Sequence, residues 1–175
     1  GLAVSMDSNL YGFSDPYTCG AYAVAESIRN LISVGATPLA LTDCLNYGNP
    51  EKGSVFFDFE QGVKGISQAA NELSFTNEPI PIISGNVSFY NESTSGNAVI
   101  PSPVVCAIGK VDDISKVKTN QFFDADLDIV MIGRRYNEFA STQAEVFLES
   151  NMFAAPQVRF IDEKNQNKAI LELYK

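Results

Sequence analysis

Short apolar runs along the chain alternate with longer stretches in which apolar residues return every three or four positions, and this alternation predicts an α/β domain. The opening Gly1-Leu2-Ala3-Val4-Ser5-Met6 reads as a strand, followed by the polar turn Asp7-Ser8-Asn9. Asp15 before Pro16 is a loop or helix-entry signal. From Ala21 the stripe Val24, Ala25, Ile28, Leu31 and Ile32 predicts a helix that Gly35 ends, with Arg29 on its exposed face or paired with Glu26. Pro38 to Leu45 reads as a second buried strand, and Phe56 to Leu73 as a helix whose Phe59, Val63, Ile66, Ala70 and Leu73 share one face. Gly62 and Gly65 weaken that helix by about 1 kcal/mol each relative to Ala, which predicts a second backbone packed closely against it. Ile80 to Ile83 enters the sheet as a third strand. Val99-Ile100 with Val104 to Ile108 gives a further strand, broken by Pro101 and Pro103.

The rest of the chain repeats this rhythm incompletely. A connection from Asp112 to Asp126 leads to a strand at Leu127–Ile132 with Gly133 at its end. A helix is expected over Ser141–Ser150, a strand candidate at Val158–Phe160 and a helix around Ala169–Tyr174. Two helices and one or two strands seldom close a core, so residues 1–112 are expected to form one domain and 113–175 the start of another. The chain opens without Met and already in a strand, with no signal-peptide pattern, so a piece of a longer protein is expected.

Composition narrows the function. With 45% hydrophobic and 19% charged residues the chain is globular, and no apolar run approaches the roughly 20 residues of a membrane helix. A formal charge of −9 argues against nucleic acid as a partner, because counterion release needs clustered Lys and Arg. A nucleotide remains admissible if Mg²⁺ bridges its phosphates and backbone N–H groups cradle them. Cys19, Cys44 and Cys106 are odd in number and widely spaced, which fits reduced thiols in a cytoplasmic protein, read here as small buried hydrophobes. There is no histidine, so a His general base would have to come from another part of the protein or another subunit.

Candidate chemistry lies where apolar rhythm fails. After Ile83 the third strand breaks into Ser84, Gly85 and Asn86, followed by Val87-Ser88-Phe89-Tyr90-Asn91. Gly85 permits close backbone approach to a ligand, Asn86 offers a neutral oxygen to a hard cation, and the Ser88 hydroxyl can meet a phosphate or polar substrate. The alternative is a tight turn whose Asn and Ser satisfy their own backbone. Asp43, near the end of an apolar strand, costs free energy unless it is hydrogen-bonded or bound to a cation, the alternative being an Asx cap on the loop Asn46–Pro50. Both elements are expected to converge on one side of a sheet.

Three motifs taken together are specific. These are Asp15-Pro16-Tyr17 with Ala23-Val24-Ala25-Glu26-Ser27-Ile28-Arg29-Asn30-Leu31, then Thr42-Asp43-Cys44-Leu45-Asn46-Tyr47-Gly48-Asn49-Pro50-Glu51, then Gly85-Asn86-Val87-Ser88-Phe89-Tyr90-Asn91-Glu92. With Val99-Ile100-Pro101-Ser102-Pro103-Val104-Val105, their order resembles the family of large (synthetase) subunits of phosphoribosylformylglycinamidine synthase. The resemblance implies an ATP- and Mg²⁺-dependent C–N ligase of purine biosynthesis, which turns formylglycinamide ribonucleotide and glutamine-derived ammonia into formylglycinamidine ribonucleotide. Such subunits have two homologous halves, each an aminoimidazole ribonucleotide synthetase-like α/β domain followed by an α+β domain, and the two first domains pair their sheets into a barrel.

By the same resemblance this chain is the first domain of the second half plus the start of the next. Asp43 and Gly85 stand at ATP contacts, Asn86 at a Mg²⁺ contact and Ser88 at a substrate contact; no catalytic residue is assigned. Implied partners are the missing first half, a glutaminase subunit and a small bridging subunit. The isolated chain is expected to be inactive and to self-associate through unpaired sheet. Glu138-Phe139-Ala140-Ser141-Thr142-Gln143 departs from the family's glycine-rich signature, and the second unit receives no ligand role. A structural pairing half with a non-catalytic nucleotide site, or another ATP-using synthetase of the superfamily, are the alternatives.

Overall fold

The computed structural model describes residues 1–122, 124, 126–149 and 154–175. Its elements run β1 (Leu2–Asp7), α1 (Pro16–Ile32), β2 (Thr37–Asn46), α2 (Gly53–Glu72), β3 (Ile82–Ser88), β4 (Ser102–Lys110), α3 (Gln143–Phe147) and α4 (Phe160–Glu172). The strands form one sheet in the order β1-β4-β2-β3. β4 runs antiparallel to both β1 and β2, whereas β2 and β3 are parallel, joined by α2 as the crossover.

α1 starts earlier than the apolar stripe indicates. Asp15 caps it, its Oδ1 accepting from Tyr17 N at 3.1 Å, and Pro16 fills the first turn, where no N–H is required. At the other end Gly35 takes φ +78°, and Ala36 N donates to the Leu31 carbonyl at 3.0 Å, closing the helix. α1 and α2 lie on one face of the sheet, where Val24, Ile28, Leu31, Ile66 and Ala69 meet Leu41, Leu45, Val105 and Ala107 in the core. Glycines permit that contact: a Cβ on Gly65 would lie 2.0 Å from the Tyr17 carbonyl, and one on Gly20 would lie 2.2 Å from the Gly62 carbonyl. The close backbone approach expected at Gly62 and Gly65 is therefore present.

No helix covers the opposite face of the sheet among the described residues. β1 presents Leu2, Val4 and Met6 there, between 66% and 76% exposed. The register places Val4 beside Ile108 and Met6 beside Cys106, so this open face is apolar under β1 and β4. Along β2 and β3 it turns polar. The sheet is open, not closed on itself.

Several expectations give way. β3 does not stop at Ile83 but continues through Ser88, because an edge strand with an open face tolerates polar residues on that face. β4 begins only at Ser102, and Pro103 is accommodated where β1 has already ended, opposite Val105. Leu127–Ile132 forms no strand; Ile129 is 87% exposed and finds no partner strand among the described residues. Phe160 opens α4 instead of ending a strand, and α4 ends at Glu172. α3 is shorter than expected, and Ser150 at the end of the expected helix lies outside the described residues. Arg29 pairs not with Glu26 but with Glu163 of α4, Nε to Oε1 3.0 Å, and Tyr174 donates to the Ser33 carbonyl at 2.5 Å, so α4 docks on α1. Of the cysteines, only Cys19 is buried, its thiol pKa pushed up to about 12 by that burial; Cys44 and Cys106 are half-buried.

Candidate functional site

β2 and β3 carry every residue singled out by the sequence, and their register sets them side by side: Asp43 opposite Gly85, Cys44 opposite Asn86, Asn46 opposite Ser88. Ligands of α/β sheets settle outside the carboxyl ends of parallel strands, which Asn46 and Ser88 reach, whereas Asp43 and Gly85 pair in mid-strand. Strand alternation, however, divides them between two faces. Asp43 shares the helix-side face with Leu41 and Leu45, whereas Asn86 and Ser88 share the open face with Cys44 and Asn46. The expected convergence on one side is thus corrected, since residues one apart on a strand point oppositely.

On the helix side, the Asp43 carboxylate occupies the space that Gly85 leaves. A Cβ at position 85 would lie 2.2 Å from Asp43 Oδ1. Among the described residues nothing donates a hydrogen bond to that carboxylate, and partial burial raises its pKa from the ordinary value. It does not cap the Asn46–Pro50 loop: Asn49 serves there, its Oδ1 accepting from Glu51 N at 2.8 Å.

On the open face, Asn86 Nδ2 donates to Cys44 Sγ at 3.4 Å. Asn46 Nδ2 reaches the carbonyls of Ser102 at 3.1 Å and Cys44 at 3.2 Å. Ser88 is engaged locally, because Asn91 Nδ2 donates to its carbonyl at 2.8 Å and its Oγ at 3.1 Å, and to the Tyr47 carbonyl at 3.0 Å. Self-satisfaction of a turn therefore describes Ser88 and Asn91, though not Asn86.

The loops beyond the two strands are tied together. Tyr47 N donates to the Ser88 carbonyl and Tyr90 N to the Gly48 carbonyl, both at 2.9 Å. Lys52 Nζ meets Glu92 Oε1 at 2.6 Å, and that hydrogen bond lowers the Glu92 pKa. Tyr90 takes φ +60°, a left-handed backbone that a non-glycine residue adopts at a cost of about 1–3 kcal/mol. Sequence reasoning missed Cys44, Asn46, Tyr90 and Asn91 as parts of this assembly. The signal for the first two was their two-residue spacing along a strand; Tyr90 left none.

Donors and acceptors here suit a hard cation only in part. Among the described residues no group of three or more His, Cys, Asp or Glu could hold a metal. Asn86 Oδ1, exposed and receiving no hydrogen bond from them, could supply one oxygen to a Mg²⁺ that nucleotide phosphates and water complete. A cavity of about 540 Å³ lies at the far end of β2, lined by Val34, Thr37, Val111, Lys168 and Tyr174, away from these residues.

Residues 1–111 match the family described as AIR synthase related protein, N-terminal domain. The chain belongs to that family. It is 48% identical over 147 residues to phosphoribosylformylglycinamidine synthase subunit PurL of Methanothrix thermoacetophila, a match covering 82% of this chain and 19% of the relative. PurL of Thermotoga maritima complexed with ATP superposes with a TM-score of 0.58 at 35% identity, over 67% of this chain and 19% of that one. The same protein complexed with FGAR gives 0.54 at 35% identity, over 69% and 19%. In a PurLQS structure from T. maritima the values are 0.52, 35%, 69% and 19%. This AIR synthase related chain thus spans about a fifth of the length of the PurL relatives it matches. No helix among the described residues is long and apolar enough to cross a membrane.

Proposed function

We propose that the chain is part of a phosphoribosylformylglycinamidine synthase: the first domain of the second half of its synthetase subunit, with residues 113–175 beginning the following domain. The parent enzyme converts formylglycinamide ribonucleotide, ATP and glutamine-derived ammonia to formylglycinamidine ribonucleotide, ADP and phosphate, in the cytoplasm. Support comes from 48% identity to a PurL subunit and from the likeness to PurL structures with ATP and with FGAR. The single observation that carries a ligand role for this half is Asp43: a partly buried carboxylate without a donor among the described residues, lying in room that only glycine leaves at position 85.

In this reading Asp43 and Gly85 contribute to the nucleotide from the helix side, Asn86 takes Mg²⁺ on the open side, and Ser88 closes the substrate end of the strand. Mg²⁺, when bound, neutralises charge on the transferring phosphate. This chain's residues orient and enclose; with no histidine present, a histidine base would have to come from groups outside it. The exposed apolar face of Leu2, Val4 and Met6 seats the missing first half, which supplies a second wall to the site. A glutaminase subunit and a small bridging subunit complete the assembly, as the PurLQS likeness supports.

The exposed apolar face also favours a second reading, a pairing half whose nucleotide site is non-catalytic. Asn86→Ala in the full-length enzyme separates the two. Loss of ADP formation with unchanged thermal unfolding supports the ligand role, and normal kinetics support the scaffold. The isolated chain, given ATP, formylglycinamide ribonucleotide and ammonia, should make no product; turnover by it alone would show that the proton-transfer group has been misplaced.

A further inference from the structure

A row of polar contacts crosses the open face from β4 through β2 to Asn86 on β3. At its start, Asn46 Nδ2 donates to the Ser102 carbonyl at 3.1 Å and to the Cys44 carbonyl at 3.2 Å. A carbonyl oxygen only accepts, so these contacts fix the Asn46 amide with its nitrogen inward. Both ends of that amide lie near the Cys44 sulfur, Nδ2 at 3.7 Å as a donor and Oδ1 at 3.9 Å as an acceptor. On its other side the sulfur accepts from Asn86 Nδ2 at 3.4 Å, the shortest of its side-chain contacts among the described residues. With the nitrogen engaged, the other end of the Asn86 amide, the oxygen, faces outward.

We infer that Cys44 is a positioning residue: its sulfur holds the Asn86 amide by the nitrogen, so that oxygen and not nitrogen meets a hard cation. An amide turned the other way would aim two N–H donors at the cation and repel it. The inference rests on reading Asn86 as a Mg²⁺ contact. It also explains why a residue able both to donate and to accept stands between two asparagines on this face.

The test uses the full-length enzyme, with Mn²⁺ as the probe, titrated by electron paramagnetic resonance in the presence of a non-hydrolysable ATP analogue. Cys44→Ala removes one weak hydrogen bond to the Asn86 amide, so Mn²⁺ affinity should fall about three- to fivefold. Cys44→Ser, which keeps both donor and acceptor, should stay within about twofold of the parent. Cys44→Val preserves volume without hydrogen bonding and serves where the alanine variant does not fold. Thermal unfolding without metal monitors the fold of each. Unchanged Mn²⁺ affinity in Cys44→Ala or Cys44→Val, with Asn86→Ala impaired, overturns the role of Cys44 alone, as does a Ser variant no better than Ala. Unchanged affinity in Asn86→Ala overturns the Mg²⁺ reading itself, and the inference with it.

Discussion

Gly65→Ala tests whether α1 and α2 touch backbone to backbone. The new Cβ would stand 2.0 Å from the Tyr17 carbonyl oxygen and 2.9 Å from Ala21 N, both backbone atoms that no rotamer change can move. Restoring an ordinary contact needs the two helices to separate by about 1 Å, which loosens the packing of the core between them. Overpacking of this kind costs about 3 kcal/mol at the upper end of its usual range, and the better helix propensity of Ala returns about 1 kcal/mol, for a net loss near 2 kcal/mol. Gly53→Ala is the control, since nothing lies within 4 Å of its Cβ position and it sits in the first turn of α2. Urea unfolding followed by far-ultraviolet circular dichroism, at one protein concentration, should show a lower midpoint for Gly65→Ala and none for Gly53→Ala. A Gly65→Ala protein as stable as its parent would refute the close crossing.

Tyr47→Phe should leave stability unchanged or raise it by up to about 1 kcal/mol, because the buried hydroxyl has no partner among the described residues; a clear loss in chemical denaturation would reveal one. Arg29→Met strands Glu163, whose carboxyl is raised by burial and lowered less by Arg29. A raised carboxyl binds its proton more readily in the folded state, so folding is favoured at low pH and that advantage is lost as pH rises through the raised value. The stability deficit of Arg29→Met should therefore be largest near neutral pH and shrink on acidification; a deficit independent of pH contradicts this. The isolated chain should self-associate through its open sheet face and Val4→Glu should shift it toward monomer in light scattering, whereas a monodisperse wild-type monomer counts against an adhesive face.

What the sequence made legible was local or periodic. Asp15-Pro16 announced a helix start because a cap and a proline act on their own backbone, and Gly62 and Gly65 announced a crossing because helices otherwise avoid glycine. Ser84 to Ser88 looked like a strand's end because polarity was read as a loop signal, although on an edge strand it marks the uncovered face. Which face each residue takes followed from register, and the parallel pairing that sets Asp43 against Gly85 depends on a crossover no short window contains. Arg29 could not be matched to Glu163 for the same reason: the pair forms only when α4 folds back across a long stretch of chain. Leu127–Ile132 has a strand's composition, yet composition supplies no neighbour to hydrogen-bond.

At the centre stands Asn86, whose amide oxygen on the open face takes a cation bridged to nucleotide phosphate. Crystals of the full-length enzyme grown with Mn²⁺ and a non-hydrolysable ATP analogue would show it by anomalous scattering. A peak about 2 Å from Asn86 Oδ1, bridged to phosphate oxygen, is the predicted result. Nucleotide and metal bound elsewhere, with Asn86 facing only protein, would contradict it.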